Sequence, residues 1–136
     1  MSQTISRRGF LKSAAAGSAV MMVGLNAGGL LAVGSGDVVV NPFVSINQEG
    51  EITVVIKHFE MGQGTTTGLT TLVAEELDAD WQKMKIDFAP ADGIRYKNLF
   101  FGAQLTGGST AIANSYMQYR EAGAMARDLL ERSASA

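Results

Sequence analysis

The chain has 136 residues, 46% hydrophobic and 18% charged, which places it among globular proteins of ordinary one-domain size and against disorder throughout. Its net charge of −2 divides unevenly: residues 1–36 carry Arg7, Arg8 and Lys12 with no acid, leaving 8 basic and 13 acidic residues elsewhere, a poor footprint for nucleic acid. With no cysteine and one histidine, thiolate metal sites, cysteine-held iron–sulfur clusters and multi-histidine metal sites are all excluded within this chain.

Residues 1–36 read as an address. Ser6-Arg7-Arg8-Gly9-Phe10-Leu11-Lys12 precedes an uncharged Gly/Ala-rich run from Ser13 to Gly36, and a basic stretch before an apolar one is the layout of an export signal. The paired arginines resemble the bacterial twin-arginine signal. That resemblance implies export of a folded protein to the periplasm, with a membrane tether if the signal is retained. The run is long enough to span a bilayer, but its glycines, serines and Asn26 favour a signal over an anchor. Ala32-Val33-Gly34 has small residues at the spacing of a cleavage site.

From Asp37 the body begins. Residues 41–59 predict a β-hairpin: Val44 and Ile46 share a face, Ile52, Val54 and Ile56 alternate with Thr53, Val55 and Lys57, and Asn47 and Gly50 supply the turn. Thr65 to Asp78 predicts an amphipathic helix with Leu69, Leu72, Val73 and Leu77 inward. A strand follows, with Met84, Ile86 and Phe88 alternating until Pro90. Residues 91–109 have no period and predict a long functional loop. A second helix, capped by Ser109 or Thr110, is predicted to run to about Glu131 with Ile112, Tyr116, Tyr119, Gly123, Ala126 and Leu130 on one face. The order ββ–α–β–α gives an α+β fold, a small mixed sheet with two helices. Its uncovered sheet edges give the body, residues 37–136, the look of part of a larger domain.

Two glycine-rich junctions precede the helices: Met61-Gly62-Gln63-Gly64 and Thr106-Gly107-Gly108-Ser109-Thr110. A helix start offers unpaired N–H groups and a partial positive charge, and glycine lets an oxyanion reach them. Gln63 adds a donor and an acceptor in one side chain, and the Ser109 and Thr110 hydroxyls add contacts for a phosphate or pterin edge. The plainer reading is a turn and a cap at each, with His58 an ordinary strand-end residue, Glu60 solvated or paired, and Met61 filling a gap in the core. A nucleotide is the competing ligand. Gly62, Gly64 and Gly68, with Asp87 on the next strand, resemble a loose dinucleotide fingerprint, although "KHFEM" intervenes after the apolar strand and Asp87 lies inside its own.

Taken together, "EMGQGTTTGLTTLVAEELDADW" and "TGGSTAIANSYMQYREAGAMAR" resemble the molybdenum-cofactor-binding large subunit of the xanthine dehydrogenase/aldehyde oxidase family, in its isoquinoline 1-oxidoreductase β-subunit branch. The resemblance covers nearly all of residues 42–130. It implies that Met61, Gly62, Gln63 and Gly64 approach the molybdenum centre and its dithiolene–pterin. It also implies that Gly108, Ser109, Thr110 and Ala111 lie against the pterin and its pyrophosphate. The implied cofactor is the molybdopterin cytosine dinucleotide form, with iron–sulfur clusters on a small partner subunit. The implied reaction is hydroxylation of an N-heterocycle or aldehyde with oxygen from water. In that family the catalytic glutamate comes from a segment far downstream, so no catalytic residue and no direct metal ligand is expected from this chain. The isolated chain is expected to be inactive, the rest of the large subunit being expected downstream. The alternatives are a nucleotide-binding module using Gly62–Gly68 and an inactive truncated fragment.

Overall fold

The computed structural model describes residues 38–135; the signal-like segment lies outside them. Strands β1 (Val38–Asn41), β2 (Val44–Ile46) and β3 (Ile52–Ile56) are followed by helix α1 (Thr65–Leu77), strand β4 (Met84–Phe88) and helix α2 (Ala111–Ser135). The sheet order is β1-β2-β3-β4, with the first two pairings antiparallel and β3/β4 parallel. The fold is α+β with a mixed sheet, as the sequence predicts. Strand β1 is an addition to it. Three successive valines followed by Asn-Pro were the available signal, since β-branched residues favour strands and Asn-Pro initiates turns. Asn41 makes that turn by accepting from the Phe43 N–H at 2.9 Å, and its amide donates to the Ala122 carbonyl of α2.

The β2–β3 hairpin forms in the predicted register, Val44 opposite Val54 and Ile46 opposite Ile52. Asn47 closes its turn with side chain and backbone both bonded to Glu51. Gly50 takes a left-handed φ of 78° there, where a Cβ would be strained. Val44, Ile52, Val54 and Ile56 are buried against Leu69, Val73 and Leu77 of α1 and Tyr119, Ala122 and Ala126 of α2. Burial of large aliphatic side chains at about 1.5–3 kcal/mol each is the main stabilising term here.

The helices pack tightly because α2 presents small residues. A Cβ on Gly123 would meet the Val73 carbonyl oxygen at 2.9 Å, so only glycine permits this approach. The buried positions of α2 are Ala111, Asn114, Ser115, Tyr119, Ala122, Gly123 and Ala126. The expected face was correct at Tyr119, Gly123 and Ala126, but Tyr116 and Leu130 lie exposed. Ile112 packs against the core as expected, while Asn114, Ser115 and Ala122 were missed because close helix packing also selects small and polar residues. Tyr119 is fully buried; its hydroxyl donates to the Val55 carbonyl at 2.7 Å and accepts from the Lys57 N–H at 3.0 Å. Helix α2 is thereby fastened to the end of β3. Strand β4 pairs along its full length with β3, yet Ile86 and Phe88 remain exposed, so the expected uncovered sheet edge is present.

Candidate functional site

Beyond Ile56 the chain leaves the sheet without leaving the interior, for Lys57 and His58 are both buried. His58 Nδ1 lies 3.1 Å from the Leu105 carbonyl, which can only accept, so this nitrogen carries the proton. Nε2 is then an acceptor, 3.0 Å from the Ser115 hydroxyl and 3.2 Å from the Asn114 amide nitrogen. Burial foremost, and then the Lys57 charge, lowers the histidine pKa and holds it in this neutral form. One residue later the Phe59 N–H donates to the Thr106 hydroxyl at 2.8 Å. Through these two residues the lead-in to the first glycine junction is laced to the lead-in to the second, 47 positions away. His58 lies at the strand end, where the sequence places it, and there it joins β3, the long loop and the first turns of α2.

The first junction closes on itself. Gly62 and Gly64 take φ of 91° and 78°, with open space where a Cβ would point. The Glu60 carboxylate uses one oxygen for the N–H groups of Gly62 (2.8 Å) and Gly64 (3.0 Å). The other accepts from the N–H and the hydroxyl of Thr66, both at 2.9 Å. These donors, the Thr66 and Gly64 amides foremost, hold the carboxyl pKa at about 2. The amides expected to receive an oxyanion are thus met by a carboxylate of the same chain. Gln63 also folds back: its Oε1 accepts from the Met61 N–H and its Nε2 donates to the Phe59 carbonyl, each at 2.6 Å. Met61 is 69% exposed and fills no gap in the core. Thr65, the first residue of α1, is buried with its hydroxyl lacking any partner.

The second junction is held from a distance. Gly108 and Ser109 are consecutive left-handed residues, with φ of 60° and 53°, and both are exposed. Thr110 is the N-cap by position, since its carbonyl accepts the Asn114 N–H at 2.9 Å. Its hydroxyl turns into the loop, donating to the Gly107 carbonyl at 2.8 Å and accepting from the fully buried Asn98 at 2.7 Å. The Asn114 side chain in turn accepts from the Leu99 N–H. Ala111 is buried beneath. Among the described residues no side chain engages the N–H groups of Ala111, Ile112 or Ala113, whereas at the first helix start Glu60 takes that of Thr66 and leaves those of Thr65 and Thr67.

Between the junctions lies a cleft of about 350 Å³, whose lining includes His58, Phe59, Met61, Phe88, Leu105 and Thr106. Phe59 and Phe88 stack at its rim with ring centroids 5.9 Å apart. Among the described residues, Met61 is the one expected site residue that lines this cleft; Gly62, Gln63 and Gly64 follow it in the first junction. Gly108, Ser109, Thr110 and Ala111 lie on a second loop and helix start tied to the first through Phe59–Thr106 and His58–Leu105. Sequence reasoning missed Asn98 and Asn114, and it named Glu60 and Thr106 without the bonds they make. Only the position of Glu60 just ahead of a glycine-rich helix start was a usable signal.

An elongated polar cofactor fits these residues. The two glycine faces of the first junction leave room for close approach, and the second helix start has open donors. The arrangement also weighs against a dinucleotide at Gly62–Gly68. β3, α1 and β4 do form a βαβ unit, but Glu60 takes the amides a pyrophosphate would use. Gly68 faces Ile112 of α2 at 3.2 Å instead of a ligand.

Comparison with known proteins gives the same direction. Residues 3–136 match the model of a molybdopterin cofactor-binding domain. The chain is 35% identical over 139 residues to the isoquinoline 1-oxidoreductase subunit beta of Brevundimonas diminuta, an alignment covering 96% of this chain and 18% of that protein. It is 39% identical over 83 residues to the membrane-bound aldehyde dehydrogenase [pyrroloquinoline-quinone] of Gluconacetobacter polyoxogenes, covering 61% of this chain and 10% of that protein. The chain spans less than a fifth of the length of these relatives. It belongs to the family of molybdopterin cofactor-binding domains.

Proposed function

We propose that the chain supplies cofactor-binding loops to the large subunit of a molybdenum hydroxylase that oxidises N-heterocycles or aldehydes. The observation that carries this reading is the lacing of the two glycine junctions through His58–Leu105 and Phe59–Thr106, which lets two loops grip one elongated ligand. Met61, Gly62, Gln63 and Gly64 would line the cofactor's metal end, and Gly108, Ser109, Thr110 and Ala111 its pterin and pyrophosphate. When bound, the cofactor supplies two-electron oxidation with oxygen drawn from water; the chain's own residues bind and orient it. The second relative's name carries a quinone, but the match to a molybdopterin-binding model over nearly the whole chain supports the molybdenum cofactor.

The cytosine dinucleotide form of the cofactor, a small partner subunit bearing the iron–sulfur clusters, and twin-arginine export to the periplasm complete the proposal. The subunit name of the Brevundimonas relative supports a partner, and Arg7-Arg8 supports the export route. Among the described residues no helix is long and apolar enough to cross a membrane.

Gln63→Ala in a full-length large subunit tests the reading. Molybdenum content and hydroxylation of a quinoline-type substrate are measured together, and a fall of tenfold or more in either is expected. Wild-type values for both would remove Gln63 from the site.

A further inference from the structure

We propose that Glu60 is a positioning residue that closes the first junction to anions, so that this loop meets its ligand through neutral groups. The inference rests on the cofactor reading above. Four donors converge on one side chain: the N–H groups of Gly62, Gly64 and Thr66 and the Thr66 hydroxyl, all between 2.8 and 3.0 Å. A carboxylate with four donors is saturated, and the partial positive charge of the α1 start is already countered. A phosphate approaching the same amides would have to expel a negative charge from its preferred site. The groups left facing outward are the open Cα faces of Gly62 and Gly64 and the unused hydrogen-bonding capacity of the Gln63 amide.

The two oxygens of Glu60 have separate tasks. Oε1 fixes Gly62 and Gly64, the two residues whose positive φ sets the turn. Oε2 anchors that turn to Thr66 in the first turn of α1. Because Gln63 stands between the two glycines, holding both of their amides on one oxygen fixes where the Gln63 backbone points. Its side chain, bonded to Met61 and Phe59, is fixed in the same way. Glu60→Gln keeps an acceptor for the glycine pair but replaces the second acceptor with a donor facing the Thr66 N–H. Glu60→Ala loses both. The low carboxyl pKa is the titration counterpart of this geometry.

The test is nuclear magnetic resonance of the isotope-labelled 136-residue chain, following the amides of Gly62, Gly64 and Thr66. In the wild type these three are expected to shift together at one low midpoint, near pH 2, and to stay unmoved by millimolar inorganic pyrophosphate at pH 7. Midpoints in the ordinary glutamate range, or saturable shifts of these amides with pyrophosphate, would overturn the proposal. In the full-length subunit, molybdenum retention should fall in the order wild type, Glu60→Gln, Glu60→Ala, with Glu60→Gln recovering part of the loss. Equal losses in the two variants would equally count against the separate roles of the two oxygens. Failure of the cofactor reading is distinct from either result: it would leave the amide titration intact while Gln63→Ala left molybdenum content unchanged.

Discussion

The two glycine junctions precede helices of the same fold and look alike in sequence, yet they are stabilised in opposite ways. The first, from Glu60 to Thr66, has the N–H groups of Met61, Gly62, Gly64 and Thr66 met within seven residues by Glu60 and Gln63. The second, from Thr106 to Thr110, depends on groups elsewhere in the chain: Phe59, Asn98 and, through the adjacent Leu105, His58. Local closure gives a loop whose shape survives without its neighbours. Distant closure gives a loop whose shape reports on the whole fold, and whose helix start keeps donors for something outside. A glycine cluster before a helix therefore says little about anion binding until the nearest carboxylate has been placed.

The largest expected effect comes from removing the group that joins the two. His58→Ala deletes bonds to Leu105 and Ser115 and leaves a cavity in the interior. Such a change costs about 3 kcal/mol, within the range for buried truncations that also orphan polar groups. Thermal unfolding should show this loss, and hydrogen exchange should quicken at residues 105–110 while Gly62 and Gly64 stay near wild-type rates. Equal loosening of both junctions would break the comparison.

The sequence disclosed those parts whose signal is periodic or covalently local. The β2–β3 hairpin was legible because period-2 alternation fixes the face of each of Ile52, Val54 and Ile56, and because Asn47 and Gly50 are turn formers. Helix α1 was legible to within a residue, its end marked by Asp78 in the left-handed conformation at φ 56°. The inward face of α2 was only partly legible: Gly123 was placed on it, but Asn114, Ser115 and Ala122 are small or polar and a periodicity of large side chains does not register them. At the site, both glycine clusters were visible, but the side chains that complete them were not. Asn98 and Asn114 reach the second junction through folding of a long aperiodic loop. Glu60 reaches its amides only because Gly62 and Gly64 take positive φ.

A smaller effect separates backbone conformation from side-chain closure. Gly64→Ala places a Cβ in the left-handed region at φ 78° without touching any neighbour, so the cost is strain alone, about 1 kcal/mol. The loss should appear in denaturant unfolding as a shifted midpoint with unchanged slope. Its exchange signature should be confined to Glu60–Gly68, leaving residues 105–110 unaltered, which is the mirror image of His58→Ala. Spread of the effect to the second junction would show that the first is not independent.

The last effect is a pH dependence at the hinge between the two regions. Lys57 is buried; its ammonium donates to the Lys97 carbonyl and to Gln118, both neutral, and burial lowers its pKa from 10.5 to about 8. The native state therefore sheds this proton before the unfolded chain does. From pH 8 upward the unfolded chain binds more protons, so stability contributed by Lys57 rises with pH until the unfolded lysine titrates near 10.5. The Tyr96 and Tyr119 phenols are both raised by burial and act in the opposite sense once unfolded tyrosine begins to ionise near pH 10. The clean window is thus pH 8 to about 9.5. Resistance of the wild type to urea should rise across it, and Lys57→Met should flatten that slope. An unchanged slope in the variant would mean that the Lys57 ammonium stays charged and solvated, and that the strand end joining the two junctions is more open than its hydrogen bonds imply.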